Sequence, residues 1–267
     1  MAGNWNAKRF TIIELLVVCA LVAGGAAWLA QKRTRVELSN ALHPDLQVLR
    51  DKYGPDRNSY GPEEWIVRDF FGDRRDGFFV DVGANHYRIT SNTYYLETTL
   101  NWSGVAIEPL REFQQEYAKF RPRTRFMPFF VADKSNEQAK MYVLSRNTLI
   151  SSAERSFTEQ HGQKADEISV PTITLDDLLD AEGVQRIDFL SMDIELSEPK
   201  ALAGFDIERF RPELVCIEIH PEVRQQILDY FARHRYVMLG KYLSADENNL
   251  YFTPLADGSS SVSRAGH

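Results

Sequence analysis

Cysteine is nearly missing from this chain: its 267 residues include two, Cys19 and Cys216, both in apolar runs. Two thiols so placed cannot build a disulfide framework, which leaves small buried hydrophobes in a reducing compartment. A basic surplus is missing too. The net charge is −7, which argues against a nucleic-acid partner held through a general basic surface. No internal repeat and no low-complexity block breaks the sequence. The fully spaced G-x-G-x-x-G fingerprint is absent as well, which disfavours a dinucleotide ligand.

One long apolar run is present. From Phe10 to Ala30 the only charged residue is Glu14. At about 1.5 Å of rise per residue, roughly 20 such residues cross the hydrocarbon core of a bilayer. Lys8 and Arg9 precede the run, and Lys32, Arg33 and Arg35 follow it. No small-residue cleavage site stands out, so the expectation is an uncleaved, single-pass membrane anchor over residues 10–30. The slight basic excess on the C-terminal side places the rest of the chain in the cytoplasm. Phe10 to Val18 also weakly resembles the start of a type IV pilin, with Glu14 five residues in, although Arg9 stands where that family has a small residue before its cleavage point.

The remainder divides into a tail over residues 1–9, a linker and juxtamembrane helix over 31–59, one large domain over 60–254, and a disordered Ser/Gly/Ala-rich tail over 255–267. Pro62 suits the first turn of an amphipathic helix over Glu63 to Phe71. Strands are expected at Phe78–Val82, Gly104–Ile107, Arg125–Ala132, Ala139–Leu144 (in a hairpin), Ile187–Met192 and Leu214–Ile219. Helices are expected over Ile89–Leu100 and Val223–His234. Alternating strands and helices make this an α/β domain with a mostly parallel sheet covered on both faces.

In such folds ligands bind beyond the carboxyl ends of the strands. Asp81, Glu108, Asp133, Asp193 and His220 all close predicted strands. Gly83 follows the first strand, where a β-carbon would block either a tight turn or a ligand. Asp81 could accept a hydrogen bond from a ligand ammonium group or from the loop backbone. Glu108, an acid ending the second strand after a glycine turn, suits the two hydroxyls of a ribose. Together they point to an adenosine-containing ligand.

The chain resembles the FkbM-type methyltransferases. The resemblance rests on Ser59 to Glu64, Phe70-Phe71, Gly77 to Asn85, Ser91 to Glu97 and Gly104 to Pro109. It continues through Val170 to Leu179, Ile187 to Glu198, Gly204-Phe205-Asp206 and Ile217 to His220. It implies a Rossmann-like methyltransferase fold, S-adenosylmethionine as methyl donor, and usually O-methylation, often of sugars or polyketide hydroxyls. It also implies that Asp81, Gly83, Ala84 and Asn85 line the methionine end of the cofactor, that Glu108 holds the ribose, and that Asp133 sits near the adenine. Asp193 and Glu195 would then face the methyl group and the acceptor. Two positions depart from the family pattern. Tyr87 and Leu196 stand where glycine is common.

Transfer to a hydroxyl needs a base, for which Asp193, Glu195 and His220 are the candidates. Asp193 with Glu195 could instead chelate a divalent cation, but two acids alone do not define a metal site, and none is assigned. The expected function is therefore a membrane-tethered methyltransferase acting on a glycan or another hydroxylated small molecule. The alternative is a catalytically degenerate Rossmann-like module serving as a membrane-bound interaction or assembly protein, with its pocket occluded at Tyr87 and Leu196.

Overall fold

The computed structural model describes residues 44–144, 147–154, 159 and 165–256. The apolar run at 10–30, with its pilin-like start and flanking charges, and the tail from residue 257 lie outside the described residues. Among the described residues no helix is long and apolar enough to cross a membrane.

Short, almost wholly buried runs form the central strands β1 (Phe78–Val82), β2 (Ser103–Ile107), β8 (Phe189–Met192) and β9 (Leu214–Glu218). Near-continuous hydrophobicity suits parallel strands covered on both faces. With β3 (Thr124–Met127), β10 (Tyr236–Met238) and β11 (Asn249–Pro254) they make a seven-stranded sheet in the order β10-β11-β9-β8-β1-β2-β3. All of its neighbouring pairs are parallel except those of β11, which runs against both β9 and β10. The chain thus lays strands to one side of β1 and later to the other, so β1 lies between β2 and β8 at the point where strand order reverses. That is where an open α/β sheet forms its ligand crevice.

Side chains alternate across the sheet with period two. Val80 and Val82 join Leu190, Met192, Val215 and Ile217 on one face, under α5 (Leu175–Ala181), α6 (Glu198–Ala203), α7 (Ile207–Phe210) and α8 (Arg224–Arg233). Phe79, Phe189, Leu214 and Cys216 pack on the other, against α1 (Pro44–Tyr53), α2 (Glu63–Phe71) and α3 (Tyr94–Thr98). Helix α2 has the expected bounds, with two acids in its first turn and Gly72 at φ 61° closing it in the left-handed conformation. Leu49 of α1 is buried in the same core, so the packed unit reaches back through much of the expected linker, at least to Pro44.

Two sequence expectations are corrected. A helix over Ile89–Leu100 shortens to α3, Tyr94–Thr98. Upstream of α3, side chains satisfy the backbone in its place. His86 Nδ1 accepts the N–H groups of Arg88 and Ile89 at 3.1 and 3.0 Å, and Ser91 Oγ accepts that of Tyr94 at 3.1 Å. Such local bonds compete with helix formation. The single strand expected over Arg125–Ala132 is two strands split at Pro128. β3 stays in the main sheet, whereas β4 (Phe130–Val131) pairs with β7 (Asp166–Ile173). β4 and β7, with β5 (Gln138–Leu144) and β6 (Asn147–Ser152), form a second sheet in the order β4-β7-β5-β6. Its antiparallel β5–β6 pair is the expected hairpin.

The irregular segment between β1 and α3 is held from beneath by Arg121, which follows α4 (Gln114–Phe120) and is fully buried. Its Nε donates to Glu97 Oε2 in a short contact. Its other nitrogens donate to the carbonyl of Tyr87 at 2.8 Å, to the carbonyl and hydroxyl of Thr93 at 3.2 and 3.1 Å, and to Thr124 Oγ1 at 3.2 Å. Glu97 Oε1 in turn accepts the N–H of Arg123 at 2.7 Å. Removing one partner of such a pair strands a buried charge. Urea unfolding of Arg121→Met is expected to show a loss of about 3–5 kcal/mol. Breaking the exposed Lys140–Glu167 pair is expected to change stability by less than about 1 kcal/mol.

Candidate active site

The carboxyl ends of β2, β1, β8 and β9 open into one cleft of about 490 Å³, a size ordinary for a small-molecule or cofactor site. Of the residues singled out in the sequence, Asp81, Gly83, Ala84, Asn85, Glu108, Asp193 and Glu195 line it. Asp133 does not join them, being exposed beyond β4. His220 is set behind the lining, against Glu195 and Glu218.

The turn after β1 follows from Gly83, whose φ is +84° and whose β-carbon, if present, would lie 1.8 Å from the carbonyl oxygen of Asp193. The steric demand therefore comes from the neighbouring strand end. Asp193 N–H donates to the carbonyl of Val82 at 3.0 Å, and the N–H of Gly83 donates to that of Ile107 at 2.9 Å, so three strand ends are tied at this point. Asn85 continues the turn at φ 44°.

Glu108 is buried, and each of its oxygens accepts one backbone N–H, from Asn85 at 3.1 Å and from Leu110 at 2.9 Å. A carboxylate oxygen has two lone pairs, so each keeps one for a further donor. Burial pushes the Glu108 carboxyl up to about 7, against the pull of those two N–H groups. Burial likewise raises Asp81 to about 6, although Thr93 Oγ1 donates to it at 2.8 Å. Beside Glu108 the cleft wall is apolar, made of Ile107, Phe129, Phe130, Val131 and Met141. Two acceptors on one carboxylate next to an apolar slot fit the ribose and base of a nucleoside.

At the β8 and β9 ends the chemistry is acidic. His220 Nε2 lies 3.2 Å from Glu195 Oε2 and 2.9 Å from Glu218 Oε2. These two hydrogen bonds raise the imidazole to about 10, so it is an imidazolium at neutral pH. Asp193 is exposed by surface area, but what it exposes faces the cleft. Its withdrawal from bulk water, then Glu218 and Glu195, push its carboxyl well up. Glu198 is fully buried and raised to about 7 by that burial. Donor atoms of Glu195, Glu218 and His220 lie within 4.8 Å of one another, a spacing that could hold a metal ion.

Tyr87 and Leu196, the two departures from the family pattern, are both outside the lining. Tyr87 is not among the left-handed residues, and its ring stacks on His86 at 4.5 Å and on Phe120 at 4.8 Å. Leu196 does adopt the glycine-like conformation, at φ 76°, directly after Glu195 at φ 52°. Each costs on the order of 1 kcal/mol. Leu196 is packed against the core, and Ser152 Oγ donates to the carbonyl of Glu195 at 2.6 Å. Sequence reasoning missed Glu218, Glu63, Ser191 and Asn249 in the lining. For Glu218 a signal existed, because strand alternation puts it on the same side as His220.

A family profile described as the methyltransferase FkbM domain matches residues 81–239. No curated protein gives a match. Among solved structures the chain is similar to a precorrin-6Y C5,15-methyltransferase from Geobacter metallireducens, with 12% identity, 71% of this chain and 84% of that one covered, and a TM-score of 0.39. It is also similar to a 1,6-didemethyltoxoflavin N1-methyltransferase from Burkholderia thailandensis, solved with S-adenosylhomocysteine, at 11% identity, 93% and 91% coverage, and a TM-score of 0.36.

The raised carboxyls carry a testable sign. An acid whose folded pKa lies above its unfolded one contributes stability that is complete below the unfolded value and is lost as pH rises through the folded value. For Asp81 and Glu108 that window runs from about pH 4 to 7. Thermal unfolding of the ligand-free chain is expected at a lower temperature at pH 8 than at pH 5. Glu108→Gln should make that dependence shallower, and an unchanged slope would contradict the burial of Glu108.

Proposed function

The chain belongs to the FkbM methyltransferase family, and from that premise we propose a membrane-tethered enzyme that methylates a hydroxyl of a glycan or other hydroxylated metabolite, with S-adenosylmethionine as the donor. The carrying observation is the convergence of the Asp81–Asn85 turn, Glu108 and the acids at the ends of β8 and β9 on one cleft. The cofactor supplies a methyl group on a sulfonium, already bearing a good leaving group.

What remains for the protein is alignment and removal of a proton. Glu108 would hold the ribose hydroxyls with its two remaining acceptor sites, and the apolar wall from Ile107 to Met141 would take the base. The turn at Gly83 and the neighbouring Asp193 would face the methionine end. Asp193 is the acceptor's base in this reading, because it lies in the cleft and its carboxyl, raised well above the ordinary carboxylate range by burial, is the stronger base once ionised. His220, an imidazolium, cannot take that proton. It fixes Glu195 and Glu218 in place by bonding to both.

Calorimetry on the detergent-solubilised full chain tests the donor. S-adenosylmethionine is expected to bind, and Glu108→Ala to weaken it at least about tenfold, the loss of about 1.4 kcal/mol. No binding at millimolar ligand would remove the enzyme reading. The tether rests on the apolar run at residues 10–30 and the basic excess after it. The full chain should sediment with membranes and resist carbonate extraction. Deletion of residues 10–30 should release it, and a full chain found in the soluble fraction would refute the anchor.

A further inference from the structure

The cleft lining carries six carboxylates, Glu63, Asp81, Glu108, Asp193, Glu195 and Glu218, and among the described residues no Lys, Arg or His. Cations acting on these acids stand outside the lining. Arg121 is bound to Glu97 and also favours the ionised form of Asp81, and His220 sits between Glu195 and Glu218. Arg57 lies over the ring of Trp65 at 4.6 Å while drawing the Glu63 carboxyl toward its ionised form. Burial holds Asp81 at about 6, Glu63 and Glu108 at about 7 and Asp193 well up. A cation entering the lining therefore draws these carboxyls into their charged form, whereas a phosphate or carboxylate finds no such partner.

Glu63 is the unusual member. It begins α2, is 5% exposed and lines the cleft, and its Oε2 has no hydrogen-bond partner. Its Oε1 accepts from Asn249 Nδ2 at 3.1 Å. Asp246, the neighbouring acid, is by contrast fully engaged. It accepts the N–H groups of Asn248 and Asn249 at 3.0 and 3.1 Å, the Asn249 amide, and Tyr251 Oη at 2.6 Å. A buried carboxylate oxygen left without a donor is unfavourable unless a ligand supplies one.

Its place in the sheet says which ligand. Glu63 bonds to the first residue of β11, four strands away from β2, where Glu108 ends its strand. At 4.7–4.9 Å per strand this separates the two ends of the cleft by about 19 Å. A cofactor with its ribose on Glu108 and its methyl near Asp193 leaves the Glu63 end to the acceptor. A neutral hydroxyl would meet one lone pair but would not favour the ionised form of the Glu63 carboxyl, which burial and Asp246 raise to about 7. An ammonium offers three donors and does favour that form.

We propose that the Glu63 end of the cleft is a subsite for a protonated amine, so that the methyl acceptor is a hydroxylated amine held by its ammonium group. This rests on the reading of the cleft as a methyltransferase site with the ribose on Glu108.

Saturation-transfer NMR on the full chain, with and without S-adenosylhomocysteine, tests it with two matched probes, 3-amino-1,2-propanediol and glycerol. The amine is expected to bind at millimolar concentration, at least tenfold tighter than glycerol. Glu63→Gln should abolish that preference, and Glu63→Asp, which keeps the carboxyl but retracts it, should reduce it. Absence of amine binding, equal affinity for the two probes, or a preference that survives both substitutions overturns the subsite. Calorimetry with S-adenosylhomocysteine on the same samples separates the two claims. Failure of the wild type to bind it counts against the methyltransferase reading, whereas the amine titration without it still judges Glu63.

Discussion

The site depends on a buried ion pair that never touches it. Arg121 and Glu97 are both taken out of water, and only their mutual bond and full set of hydrogen bonds make that tolerable. From this pair the guanidinium reaches the Tyr87 carbonyl and the Thr93 carbonyl and hydroxyl, and Thr93 passes its own hydroxyl proton toward Asp81. A segment with little regular structure is thereby fixed at both ends of the turn that carries Gly83 and Asn85. The rigidity expected of a longer helix is supplied by a charge cluster underneath.

Much of this was legible in the sequence where the pattern was local. Apolar runs of about the right length gave β1, β2, β8 and β9, and Pro62 with Gly72 bracketed α2. Acids placed at strand ends converged because parallel strands share one carboxyl edge. Non-local features were not legible. The exchange of β4 into a second sheet depends on its pairing with β7, some 40 residues later by strand register. Glu63 reads as an ordinary first-turn acid until Asn249, 186 residues away, is seen to bond with it. Asp133 illustrates the converse: the strand it was expected to close ends earlier, and the side chain is left in solvent. Tyr87 looked like an obstruction in sequence, yet its stacking on Phe120 gives the ring another place to be.

Electrostatically the cleft is of one sign, and this shapes its chemistry at each end. Burial alone would leave the carboxyls neutral, and the values near 6 to 7 for Asp81 and Glu108 reflect a partial offset by donors from Thr93, Asn85 and Leu110. A positively charged sulfonium entering such a cleft would draw the acids back toward the ionised state. Donor binding and the ionisation of the site are coupled in this way, because a nearby cation favours the charged form of a carboxyl.

The break at Pro128 has a consequence for how this architecture can diversify. Because β4 and β7 pair in parallel, the polypeptide leaves the main sheet and returns to it through a clasp only two residue pairs long, Phe130 with Thr172 and Val131 with Ile173. Everything strung between the two sides of that clasp is closed off at its neck. Lengthening such an excursion costs little, about 0.6 kcal/mol for each doubling of a flexible loop. Met141 of this excursion nevertheless reaches the cleft wall. Descendants of such a chain could therefore enlarge or trim the excursion, and so recut the wall beside Glu108, while the seven-stranded scaffold stayed as it is.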